Sequence, residues 1–418
     1  MKERRRKLDN AALAFPAATD KNDSRVFQIS CVLTEEIEED ALRKAADAAV
    51  RHYPMFQCVL KRGNFWFYFE KTEMPPVIRK MDDTPCQALY IKEEETLLYQ
   101  IIYGKCEIHL EIFHALTDGT GAIAFLCAIV REYLEIVHYL SEERYIYPSV
   151  EQQEEDSFSK YYSSEKQEKQ TKKSEHAVQI TGDKMRGGKM RVHEYMVSSK
   201  QLLSKAREYR VSITAYLTAA FLQSISMSLH TKQKRRPVVL MIPVNLRKFY
   251  PSESMANFFG WMEIEYRFRE GASFTDVLRH VKRRFAQDLR KEQVAARMNR
   301  YVKLEKNILL RIIPLKIKDI FLKWGTKLGS KNVTGVFSNM GIIEMQESYK
   351  PYIRRFGAMA STDRIQMCSC SYEDAFYFSI TSKYTEEKIE NLFLQFLQKE
   401  RLEVKEIRNS SESSKNVL

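Results

Sequence analysis

Residues 108–121 read IHLEIFHALTDGTG. Ile108, Leu110 and Ile112 alternate with His109, Glu111 and Phe113, which is the period of a half-buried strand. The alternation stops at His114. Asp118 and Gly119 follow four and five residues later, and from Ala122 the apolar spacing becomes that of a helix. An imidazole on the turn between a buried strand and a helix has a rigid support and can still face a cleft, which is what a general base requires.

Upstream of this stretch, LDNAALAFP (8–16) precedes a strand near 26–33, and Leu42, Ala45, Ala46, Ala49 and Val50 repeat at helical spacing. HYPMF (52–56) ends that helix, because the residue before Pro54 is pushed out of the α region. QCVLKRGNFWFYFE reads as a hairpin turning at Gly63 and Asn64, and TLLYQIIYG as a further strand region. Downstream, a helix is expected from Ala122 to about Leu140. Residues 147–176 are then mixed in charge and almost free of aliphatics, so they cannot bury enough to order themselves and read as a linker.

The second half opens with a polar strand near 191–197. A helix follows from Ser212 as N-cap, with Ile213, Tyr216, Leu217, Ala220, Phe221 and Ile225 on one face. RPVVLMIPVNLR (236–247) is a continuous apolar run, as for a strand buried on both faces. Ser273 opens another helix, with Asp276 at its third position. Strands are expected in VTGVFSNMG (333–341), near 365–371 and near 376–382. A last helix carries Ile389, Leu392, Phe393, Phe396 and Leu397, and the polar tail from Glu403 is expected to fray. KNILLRIIPLKIKDIFLKWGTKL (306–328) is apolar but studded with lysine. Such a stretch can lie on an anionic membrane; a core-facing helix with solvated lysines is the favoured reading.

With 418 residues the chain is long enough for two or three lobes, and its apolar content of 44% suits a folded protein. No apolar run approaches the roughly 20 residues that span a bilayer, and the basic start MKERRRKLDNAALAF lacks the apolar core of a signal peptide, so a cytoplasmic location is expected. Seven scattered cysteines, Cys31, Cys106 and Cys127 among them within apolar patterns, suit reduced, buried thiols. Cys368 and Cys370 have no second pair to complete a zinc site, and no metal is expected. The net charge of +12 suits an acidic partner or simply solubility. Lysines and arginines are spread along the chain instead of forming a stripe with aromatics, which argues against nucleic acid.

His114, Asp118 and Gly119 spell H-x-x-x-D-G, and this resembles the signature of the chloramphenicol acetyltransferase-like superfamily of acyl-thioester-dependent acyltransferases. The preceding order of strand, helix, hairpin and strands is similar to that superfamily's first lobe. PVNLR (243–247) with ANFFG (256–260) is similar to the P-V-x-x-R and G-N-x-x-G of condensation-like acyltransferases, with Ala256 in place of the first glycine. SNMG (338–341) resembles a turn near the active site of the alcohol acetyltransferase branch, to which the chain looks closest; the D-F-G-W-G string of the plant branch is absent. The resemblance implies an α/β (α+β) fold of two lobes, each a mixed sheet covered by helices, with an active-site channel between them. The first lobe would span 1–146, a polar crossover linker 147–190 and the second lobe 191–418.

The resemblance further implies that His114 takes a proton from an acceptor hydroxyl, less readily an amine, as it attacks the thioester of acyl-CoA. No covalent acyl-enzyme and no permanently bound cofactor is required. Asp118 would pair with Arg247 and hold the loop, with Gly119, as structural support of the motif. Gly119 N–H, Ser338 and Asn339 are candidate oxyanion donors, and Asn257 is a candidate channel residue or a plain turn cap. A lone histidine at a strand end is more often structural, and H-x-x-x-D can be two metal ligands on a helix, although Gly119 and Gly121 oppose a helix there. Phe113 stands where condensation domains commonly carry another histidine. The alternatives are carrier-protein-dependent condensation in natural-product assembly, with an acyl carrier protein as partner, and a non-catalytic binding protein that keeps the fold.

Overall fold

The computed structural model describes residues 5–82, 84–140, 145–164, 175–187, 189–307 and 312–409. Strand β1 (Arg5–Lys7) pairs with β4 (Phe67–Lys71), which pairs with β3 (Cys58–Arg62) in a three-stranded sheet. The β3–β4 connection turns at Gly63 and Asn64, where the Gly63 N–H meets the Trp66 carbonyl at 3.0 Å. A five-stranded sheet has the order β12-β2-β7-β6-β5, formed by β2 (Val26–Leu33), β5 (Ile78–Lys80), β6 (Tyr99–Tyr103), β7 (Glu107–Phe113) and β12 (Ile353–Ala360). Helices α2 (Glu39–His52) and α3 (Gly119–His138) lie together, and α3 packs on β2 and β7.

The alternation in β7 predicts one solvated face. Instead His109 and Glu111 are buried with Ile108, Leu110 and Ile112. The polar side chains are tolerated because they are paired. Gln28 meets His109 Nδ1 at 2.8 Å, and Glu111 accepts from Gln100 at 2.7 Å and from the Cys86 N–H at 2.6 Å, so little hydrogen-bonding capacity is left unmet.

A second, seven-stranded mixed sheet has the order β10-β9-β11-β13-β14-β8-β15. Its members are β8 (Arg191–Ser198), β9 (Val238–Asn245), β10 (Phe259–Tyr266), β11 (Gly335–Ile342), β13 (Ile365–Tyr372), β14 (Ala375–Ser382) and β15 (Lys405–Asn409). β11 runs parallel to β9 and β13, and the other pairings are antiparallel. Helix α4 (Ser199–Glu208) follows β8. Helices α5 (Ile213–Ser228), α6 (Phe274–Asp288) and α9 (Lys388–Lys399) cover the sheet and share its apolar core. The predicted caps are present: Ser212 accepts from Ala215 N, and Ser273 and Asp276 form a capping box. Two further helices, α7 (Lys291–Lys306) and α8 (Leu315–Ser330), lie outside this layer.

Five expectations need correction. Strand β12 falls within 191–418 yet pairs with β2 across Ile353–Ala360, so the second half of the chain completes the first sheet and a division at residue 191 misplaces it. The described residues of the expected linker (147–164, 175–187 and 189–190) are partly seated: Phe158 is buried, Gln153 donates to the His52 carbonyl at 2.8 Å and accepts from Met255 N at 2.9 Å. Backbone groups tie this stretch to both halves despite its polar composition; 165–174 and 188 lie outside the described residues. The tail orders through 409, because β8 offers an unpaired edge that β15 fills. Helix α8 turns its apolar side chains outward, with only Leu315 and Lys318 buried, so the core-facing reading of 306–328 fails where the chain is described; 308–311 lie outside. The seven cysteines are unbridged, and Cys106 alone is half-buried instead of buried.

Candidate active site

His114 follows the last residue of β7, and its N–H is held by the Arg25 carbonyl at 2.9 Å. The helix begins five residues later because Asp118 is its N-cap: one carboxylate oxygen accepts from Thr120 N at 3.0 Å and Gly121 N at 3.3 Å. Capping satisfies main-chain donors that the first turn would otherwise leave unpaired, and the Asp118 carboxylate takes none from the Gly119 N–H. The other carboxylate oxygen accepts from Arg247 Nη1 at 2.7 Å and Phe258 N at 2.8 Å. Arg247 spends its remaining donors on the carbonyls of Ser254 and Ala256. The Asp118–Arg247 pair therefore joins the motif to the loop at 254–258 and directs the aspartate away from the imidazole.

The same loop holds the motif at two other points, and the end of β9 at a third. Thr117 Oγ1 donates to Met255 O at 2.5 Å, Asn257 Nδ2 donates to Ala115 O at 3.3 Å, and Asn245 Nδ2 donates to Thr120 Oγ1 at 3.1 Å. Gly121 is required by this closeness, since a Cβ there would stand 2.5 Å from Met255 O. Gly121→Ala should cost about 1–3 kcal/mol in a denaturant titration. Gly119→Ala, whose Cβ would meet only the Met340 side chain at ordinary distance, should be close to neutral; equal losses at the two positions would contradict this packing.

The His114 ring lies between aromatics from distant parts of the chain. Phe15, in helix α1 (Phe15–Ala18), stacks on it at 4.5 Å and 11°, Phe27 of β2 is tilted at 4.8 Å and Phe259 of β10 at 5.4 Å. Among the described residues no group stands in hydrogen-bonding geometry to the buried Nδ1, although the Asn257 amide is near enough to act on the ring. Burial holds the imidazole below its usual pKa, only partly offset by its own main chain, Asp118 and Asn257. The neutral ring is thus favoured at neutral pH.

Asp9 was not legible as a site residue. It accepts from Ala12 N at 2.8 Å and from both the N–H and side-chain amide of Asn257 at 3.1 Å. Burial pushes its carboxyl up to about 7. Asn257 is thereby a bridge between the N-terminal segment and the motif, beyond a turn cap. Phe15, Phe27, Phe259 and Thr117 were not singled out either: Phe259 and Thr117 lie inside the two motifs, and the cue for Phe15 was the apolar LDNAALAFP string, whose target it does not disclose.

SNMG approaches the motif through Met340, which lies against Gly119. Within it, Asn339 donates to Thr214 Oγ1 at 2.9 Å and accepts from Gly341 N at 2.9 Å, and Gly341 takes the φ of +87° that favours glycine. Asn339 is therefore committed to holding the turn, whereas the half-buried Ser338 hydroxyl makes no such bond among the described residues. An aromatic-lined cavity borders the site through Phe259, with Phe158, Trp261, Met298 and Tyr301 on its wall. Among the described residues no three His, Cys, Asp or Glu side chains gather as a metal set.

Two helix-covered mixed sheets joined by a strand exchange, with a histidine motif clasped between them, are the architecture of condensation-domain structures. The chain has the fold of the chloramphenicol acetyltransferase-like and condensation-domain superfamily. The sequence pattern of the family described as phthiocerol/phthiodiolone dimycocerosyl transferase C-terminus matches residues 189–315. A comparison with curated proteins finds no significant match. Among solved structures, the TRI3 trichothecene 15-O-acetyltransferase of Fusarium sporotrichioides is 12% identical with a TM-score of 0.63, covering 96% of each chain. The first condensation domain of the calcium-dependent antibiotic synthetase, in complex with a substrate analogue, is 12% identical with a TM-score of 0.63, covering 95% of this chain and 96% of its own. A variant of the starter condensation domain of rhizomide synthetase, in complex with C8-CoA, is 11% identical with a TM-score of 0.61, covering 95% of each chain.

Proposed function

We propose that this protein transfers an acyl group from acyl-CoA to a hydroxyl acceptor, with His114 as general base. The observation that carries the reading is a buried imidazole at the meeting of the two sheets, held below its ordinary pKa by burial, with its loop locked by Asp118 and Arg247. Nε2 would take the hydroxyl proton as the oxygen attacks the thioester carbonyl. The tetrahedral intermediate would collapse by breaking the C–S bond, and the imidazolium would return the proton to the departing thiolate, leaving an ester and free CoA thiol. The Gly119 N–H and the Ser338 hydroxyl are the remaining candidates to meet the oxyanion. Asp118 and Arg247 would act as supports of the loop. The excess of positive charge suits the CoA phosphates.

Thiol release from a panel of acyl-CoAs with mixed alcohol and amine acceptors tests the reading. Acceptor-dependent release supports it. Release only from an acyl carrier protein would move the assignment to a carrier-dependent condensation, and silence from the folded protein with both donors would leave a binding protein. The pH profile gives a second check. Because burial lowers the pKa of His114, the base stays unprotonated to lower pH than a free imidazole, and the acid limb of kcat/KM should have its midpoint below about 6.5. A midpoint above that value would contradict His114 as the base.

A further inference from the structure

Helix α8 is amphipathic in the inverse sense. Its inner side is held mainly by polar contacts to the β3–β4 hairpin: Leu315 N donates to Asn64 O at 2.8 Å, Lys318 Nζ donates to Phe65 O at 3.0 Å and lies over the Trp66 ring, and Asp319 pairs with Arg62 at 2.6 Å. Its outer side carries Ile317, Ile320, Phe321, Trp324 and Leu328, spaced at i, i+3, i+4, i+7 and i+11, so they form one stripe on a 3.6-residue period. All five are exposed, Phe321 to 66% and Trp324 to 68%. A contiguous apolar face of this kind on a protein surface marks an interaction site. Lys316, Lys323 and Lys327 are exposed along one flank of the stripe. Asp319 is the helix's single acid and is turned inward onto Arg62, so the outer face is apolar and basic with no acid in it.

We propose that the outer face of α8 docks this protein on an anionic lipid surface. The stripe would sit among the acyl chains at the headgroup boundary, with the lysines against the headgroup charge, the arrangement in which such a helix gains both apolar burial and electrostatic attraction. The face is one convex helix with five side chains standing free of any groove. A bilayer accepts that shape without complementary relief, whereas a protein partner would need a matching cleft. An acidic carrier domain would satisfy the lysines but leave Phe321 and Trp324 in water. Attachment would be peripheral, since among the described residues no helix is long and apolar enough to cross a membrane. Helix α8 packs on α1, which places Phe15 on His114, so docking would hold the His114 site one helix away from the lipid. The proposal rests on the helix alone and stands whether or not the acyl-transfer reading does.

Flotation of the full chain with vesicles of mixed phosphatidylglycerol and phosphatidylcholine, against phosphatidylcholine alone, tests it. The wild type should float with the mixed vesicles, and Phe321→Asp combined with Trp324→Asp should stay at the bottom of the gradient. The triple variant Lys316→Gln, Lys323→Gln, Lys327→Gln should bind on the order of 100-fold more weakly, from about tenfold or less per lysine. Thiol release with water-soluble substrates should be unchanged in both variants. The proposal is overturned if the folded wild type floats with neither vesicle, if it floats equally with both, or if the aspartate variant floats like the wild type. It is also overturned if gel filtration shows a dimer that the aspartate variant dissolves, which would give the face to a second copy of the chain, or if an acidic carrier domain is bound while vesicles are not.

Discussion

His114→Ala should lower kcat/KM for acceptor-dependent thiol release by about 100- to 10,000-fold, the range that a positioned general base contributes. The ring is stacked on Phe15 and flanked by Phe27 and Phe259, so its removal also leaves space among aromatics. His114→Gln, which keeps most of the volume and loses the basic nitrogen, separates the two effects. Both variants should lose turnover, while the glutamine variant should unfold close to the wild type. A glutamine variant that turns over normally would remove His114 from the chemistry. One that fails only because it unfolds would make the imidazole a packing residue.

The second large effect is on stability. Arg247 and Asp118 are 10% and 7% exposed at the side chain and meet at 2.7 Å, so solvent screens the pair little. Replacing Arg247 by methionine would leave the aspartate charge buried with only the Thr120, Gly121 and Phe258 N–H groups, and would strip the Ser254 and Ala256 carbonyls of their donor. Breaking one side of a buried pair costs about 3–5 kcal/mol, to be read from chemical denaturation. Asp118→Asn should likewise damage folding at least as much as turnover, because the carboxylate's four hydrogen bonds go to the main chain and Arg247, none to the imidazole. The double variant should lose much less than the sum of the singles, since the two residues share one interaction. Simple additivity would show that they act independently, and a stable Asp118→Asn protein without turnover would return the aspartate to the chemistry.

The parts of the site visible in the sequence are those whose partners are local or strongly patterned. The strand ending at Phe113, the turn and the helix after it appear in residues 108–121 because alternation and helical spacing are properties of neighbouring side chains. The caps at Ser212 and Ser273 are equally local, with partners three residues away. Asp9, Phe15 and Phe27 escaped because their significance lies in meeting Asn257 and His114, and no periodicity encodes a contact between residues 87 to 248 positions apart. The helix at 315–330 was visible as a helix, but its period gives the angular width of the apolar stripe and not the direction in which it points. That direction is set by Asn64, Phe65 and Arg62 on the hairpin, which hold the polar side inward.

By itself the sequence determined the strand, turn and helix that carry the histidine motif and the capped helices of the second half, because these follow from side-chain periodicity, capping and main-chain sterics acting within a few residues. Only the tertiary structure decided that β12 crosses into the first sheet, that β15 closes the edge of the second, and that three distant aromatics surround His114, whose burial lowers its pKa. Those outcomes depend on which unpaired edges and apolar faces can reach one another once the chain is compact. Pairing and burial of that kind are gained collectively and leave no signature in any one stretch of residues.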